Sequence, residues 1–152
     1  MTLSHNWDSF RDLLCELHGD SFSFDFIGIS ELFNRDKDSR LALPGYHNII
    51  TRSRDNSNEG GIGLFVKDTF DFKIRHDLSM FVPQVFESLF IDIVSKAKSN
   101  KNIILGVITA PTADLDIFSS TVHDLMDVNN NERKRCVVFV FVLFRGGGRF
   151  QY

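Results

Sequence analysis

The chain has 152 residues, 43% of them hydrophobic and 24% charged, with a formal net charge of −3. Those values fit one globular domain with a single core and exclude both wholesale disorder and a global positive field that would gather polyanions. Sixteen Phe against one Trp and two Tyr, many of them in runs with Val, Ile and Leu, point to a strand-rich core.

In chain order, Trp7, Phe10, Leu13, Leu14 and Leu17 share one helical face, with Asp8, Arg11, Asp12 and Glu16 opposite. This predicts a helix over 7–18, capped by Ser4 or Asn6 and ended by Gly19. Residues 24–30 are apolar on both faces, as expected of an inner strand. "LPGY" at 43–46 is a turn, with Pro44 and Gly45 supplying its geometry. "YHNIITRS", "IGLFVKD" and "FDFKIRHD" follow as strands, with the polar "RDNSNEGG" as a long connection after the first. In "VFESLFIDIV" at 85–94, Phe86, Ser88, Phe90 and Asp92 alternate with Glu87, Leu89, Ile91 and Ile93. "NIILGVIT" at 102–109 is a second inner strand, expected beside 24–30 in the centre of one sheet. A helix over 114–127 follows, capped by Thr112 or Asp114, with Leu115, Phe118, Val122 and Leu125 inward. Both helices are expected on the outer face of that same sheet. "CVVFVFVLF" at 136–144 is the last strand. The order is helix, about six strands, helix, strand, which predicts an α+β class, a layered α/β sandwich.

Cys15 and Cys136 stand far apart without ligand spacing and read as thiols of a reducing compartment. "MTLSHNWDSF" lacks the basic and apolar regions of a secretion signal, and the nine-residue apolar run is too short to span a bilayer. The expectation is an intracellular protein, nuclear or cytoplasmic, with no membrane partner. His5, His18, His47, His76 and His123 are scattered and form no ligand pattern. "GGIG" at 60–63 opens a strand and lacks a following Lys-Ser/Thr, so it is not a phosphate loop.

"FDFIGISE", "LPGYHNIITRSRD", "GGIGLFVKD", "VFESLFIDI" and "NIILGVITAPTADLDIF" occur in the order and spacing of the endonuclease/exonuclease/phosphatase superfamily. Together they most resemble the endonuclease domain of non-LTR (LINE-type) retrotransposons, over roughly residues 7–126. The resemblance implies two packed, mostly antiparallel sheets with outer helices, in one partial domain spanning 1–152. It also implies hydrolysis of a phosphodiester in DNA, with magnesium as the family's cofactor. Such a reaction needs oxygen ligands for a hard cation, an oriented water and a stabilised leaving oxygen.

By resemblance, Glu31 in Ser30-Glu31-Leu32 stands at the family's metal-binding Glu, here a vestige. The family's Asn before the first helix is not matched by Asn6. The family's phosphate-contacting Tyr is replaced by Thr109 in Thr109-Ala110-Pro111. "CVVFVFVLFRGGG" carries no counterpart of the family's Gly-Asp-Phe-Asn, and the later Ser-Asp-His would lie beyond Tyr152. Residues 136–152 therefore read as a degenerate, low-complexity tail. No catalytic residue is assigned, and no cofactor is expected in this chain. The expected function is a catalytically inactive remnant of a retrotransposon endonuclease domain. The alternative is a non-catalytic module that keeps the fold to bind nucleic acid or protein. Self-association through 136–144, which combines high β-propensity with no charge, is also expected.

Overall fold

The computed structural model describes residues 3–19, 22–30, 32, 41–52, 60–82, 86–94, 103–110, 116, 119–120, 122–124, 126–127 and 135–142. Helix α1 covers Leu3–Gly19. The strands are β1 Phe26–Ser30, β2 Ile50–Arg52, β3 Ile62–Val66, β4 Asp71–Ile74, β5 Phe81–Val82, β6 Phe86–Val94, β7 Ile103–Ala110 and β8 Arg135–Val142. Residues 116, 119–120, 122–124 and 126–127 are helical and lie between β7 and β8 in the chain.

The strands form two sheets, one with order β1-β3-β2 and the other with order β4-β6-β7-β8 plus β5 beside β6. Every pairing is antiparallel except β7 with β8, which is parallel. A parallel pair needs a crossover connection, and the helical residues between the two strands supply it. The class is α+β: two mostly antiparallel sheets flanked by helix.

Three apolar layers hold the stack together. Between the sheets, Ile50, Ile62, Leu64 and Val66 meet Leu89, Ile91, Ile93, Leu105 and Val107. Outside the first sheet, Trp7 of α1 stacks on Phe65 at 5.8 Å between ring centroids, with Ile29, Leu32, Leu41 and Leu43 around them. Outside the second sheet, Phe86, Phe90, Ile104 and Ile108 are buried with Leu78, and Val122 packs against them. The alternation of 85–94 therefore divides two cores: odd positions face the other sheet and even positions face the second helix.

Two sequence expectations are corrected. Strands β1 and β7 lie in different sheets, and among the described residues β1 is at the edge of its own. The two helices accordingly cover different sheets, α1 the first and the second helix the other. The physical reason is the layering itself: with a helix outside and a sheet inside, even an edge strand is apolar on both faces. Phe26 packs toward the inter-sheet core while Ile27 and Ile29 pack under α1. Helix α1 begins at Leu3, so Ser4 and Asn6 lie within it, whereas Gly19 does end it. Leu13 is 51% exposed, off the packed face. Thr112, Asp114, Leu115, Phe118 and Leu125 lie outside the described residues.

The Leu43–Tyr46 turn forms as predicted: Tyr46 N–H donates to Leu43 O at 3.2 Å, and Gly45 has φ +81°. A positive φ after Pro44 is the type II arrangement, which favours glycine there. Between β4 and β6, Ser79 and Ser88 replace missing ladder bonds. Ser88 Oγ donates to Leu78 O (3.0 Å) and accepts from Met80 N–H (2.9 Å), while Ser79 Oγ accepts from Phe90 N–H (2.9 Å).

Candidate functional site

One end of the sandwich gathers polar groups within an otherwise apolar interior. Glu87, on the second residue of β6, lies directly opposite Thr109 of β7. Directly opposed antiparallel residues project from the same face. Glu87 alternates in phase with Leu89, Ile91 and Ile93, and Thr109 with Leu105 and Val107, so both face the first sheet. Both are almost fully buried, at 2% and 3% exposure.

Glu87 Oε2 accepts the N–H of Gly61 at 3.1 Å, which ties the second sheet to the start of β3 in the first. Gly60 and Gly61 have φ of +83° and +88°, so two glycines fit where side chains would be strained. The carbonyl of Gly61 in turn accepts the N–H of Leu32 at 3.2 Å. Glu87, Gly61 and Leu32 thus form a short relay from the inside of the second sheet to the chain just after β1.

Glu31 itself lies outside the described residues. Its neighbours bracket this end of the fold: Ser30 pairs with Ile62, and Leu32 bonds Gly61. Thr109 stands across from Glu87 but outside this relay. Its Oγ1 is buried without a hydrogen-bond partner among the described residues. A Tyr here would have carried its hydroxyl well past the strand, whereas the Thr hydroxyl stays inside.

Glu87 is the residue that reading for sites missed. Its signal was in the sequence, because the alternation of 85–94 put this carboxylate in phase with Leu89, Ile91 and Ile93. A carboxylate on a core face calls for a bonded partner, and no pattern of side chains marks out a glycine amide 26 residues earlier as one.

A magnesium ion takes about six oxygen ligands in near-octahedral geometry. Among the described residues no group of three or more His, Cys, Asp or Glu converges. Glu87 spends one oxygen on Gly61, and Thr109 offers a neutral hydroxyl. The described donors do not by themselves compose a magnesium cage. The histidines are dispersed: His47 Nε2 bonds Phe70 O at 2.9 Å with its ring edge-on to Phe72, and His123 stands 3.6 Å from Asp127.

A separate cleft of about 380 Å³ lies between α1 and the Leu43–Tyr46 turn, lined by Leu14, Phe22, Phe24 and Tyr46 among others. Lys67 at its wall donates to Ser23 Oγ at 2.7 Å and lies 3.7 Å from Asp25. Tyr46 donates its hydroxyl proton to Phe24 O. Burial, with Asp25 nearby as a second cause, raises the Tyr46 phenol above its ordinary pKa of 10.0. The cleft shares no residue with the Glu87–Thr109 end. Among the described residues, no helix is long and apolar enough to cross a membrane.

The architecture and the polar end define a two-sheet α+β sandwich with a buried carboxylate clamp. No family model and no curated protein matches the sequence. Among solved structures, the catalytic domain of human Nocturnin, determined with a bound sulfate anion, is similar at TM-score 0.49 and 15% identity. The match covers 87% of this chain and 56% of that one, so this chain spans little more than half of that structure. A likeness this distant says nothing about chemistry.

Proposed function

We propose that this chain is a catalytically silent remnant of a metal-dependent phosphodiesterase, of the DNA endonuclease type carried by non-LTR retrotransposons. The sequence segments that resemble that family support the ancestry. The observation that carries the loss of activity is Thr109. At the position of the family's phosphate-contacting Tyr stands a hydroxyl that is 3% exposed and reaches no partner among the described residues. Burial of this depth supports the reading that the hydroxyl makes no contact with a substrate phosphate. Loss of a general base alone lowers rates by about 10²–10⁴-fold. Here the family's Asp and Asn on the last strand are missing as well, since 136–144 holds neither.

In the family, magnesium polarises the phosphate. In this chain Glu31 is the one carboxylate that the resemblance assigns to the ion. A single carboxylate leaves magnesium most of its waters and binds it weakly. Calorimetric titration with magnesium chloride is expected to give no saturable heat at millimolar ion. A saturable site that disappears in Glu31→Ala would overturn the reading.

A second reading, a non-catalytic interaction module, is favoured by one observation. Phe22 and Phe24 are 63% and 45% exposed at the cleft beside α1, an unusual presentation of apolar rings.

A further inference from the structure

We propose that Glu87 is a positioning residue: a clamp between the two sheets that sets the path of the chain leaving β1. A carboxylate that is 2% exposed on the strand face it shares with Leu89 and Ile91 is costly to bury, and burial is tolerated only where its oxygens are bonded. One of its oxygens accepts a backbone N–H of the opposite sheet, that of Gly61, at 3.1 Å. A backbone partner cannot rotate away, so the bond fixes the peptide that bears it.

That peptide is the junction of the relay. With φ of +88°, Gly61 turns the chain into β3, and its carbonyl holds the Leu32 N–H at 3.2 Å. Leu32 is buried at 3%, and its Cδ1 would lie 2.9 Å from a Cβ at Gly63. The segment after β1 is therefore held at two points, one polar through Gly61 and one by packing over Gly63. Glu87 supplies the polar point from the other sheet. The clamp stands on these contacts alone and does not depend on the proposed phosphodiesterase ancestry.

The test is amide hydrogen exchange on the full chain with two variants. Glu87→Gln keeps an acceptor oxygen of the same reach, and Glu87→Leu keeps the volume without it. Glu87→Leu is expected to speed exchange at Gly61 and Leu32 roughly tenfold, the loss of one charge-assisted hydrogen bond, with Leu105 and Val107 unchanged. Glu87→Gln is expected to restore most of the protection at both amides. Faster exchange spread equally over Leu105 and Val107 would overturn the proposal, because it would mean general destabilisation. So would unchanged protection at Gly61 and Leu32 in Glu87→Leu, or failure of Glu87→Gln to restore it. Where Glu87→Leu does not fold, the comparison of Glu87→Gln with the native chain at Gly61 decides: protection must fall by less than tenfold there. None of these outcomes depends on whether the chain cleaves DNA.

Discussion

Gly106 shows how far a single residue can be fixed by its neighbours. It pairs directly with Phe90 across β6 and β7, and a Cβ added to it would come within 2.1 Å of the Phe90 ring. The ring fills the space that a side chain would take. Gly106→Ala is therefore expected to destabilise by about 1–3 kcal/mol through overpacking, read as a lower urea midpoint. Ser88 is equally constrained, because its buried hydroxyl bonds both Leu78 O and Met80 N–H. Ser88→Ala leaves both backbone groups short of a partner and is expected to cost about 1–3 kcal/mol in the same measurement. Tyr46 gives a pH signature. Its folded pKa lies above 10.0, so its stabilising effect is complete below pH 10 and is lost as pH rises through the folded value. Denaturation followed from pH 9 upward is expected to show falling stability, with a shallower fall in Tyr46→Phe.

At the scale of elements, the helices and the longer strands were legible because their apolar spacing is long and regular. The Pro44-Gly45 turn was legible because its residues prescribe its geometry. Strand β5, only Phe81–Val82, is too short to show a period, and Pro83 follows it directly. The sheet to which β1 and β7 belong was misjudged for a different reason. Apolarity on both faces reports burial on both faces, which a helix-covered sandwich gives to edge and centre alike. Glu31 and Thr109 were singled out by resemblance. Glu87 was not, because the Gly61 amide it bonds is a backbone group that no side-chain pattern reveals. Strand β8 pairs with β7 on one side, and among the described residues nothing pairs with its other side. Residues 136–144 carry no charge and no Pro, so this edge is expected to promote association. Sedimentation at micromolar concentration should show oligomers, returned toward monomer by Val138→Lys with Val140→Lys while the far-ultraviolet strand signal is kept. Association unaffected by those charges would acquit the edge.

For the molecule as a whole, the two sheets place β1, the Gly60-Gly61 turn, Glu87 and Thr109 at one end of the stack. That is where the proposed ancestry would put a phosphodiester site. At that end the Glu87 carboxylate and the Thr109 side chain are both buried. The most direct measurement is nicking of supercoiled plasmid by the purified chain with magnesium or manganese. The native chain and Glu31→Gln are expected to be equally inert. Nicking that co-purifies with the native chain and vanishes in Glu31→Gln would contradict the account.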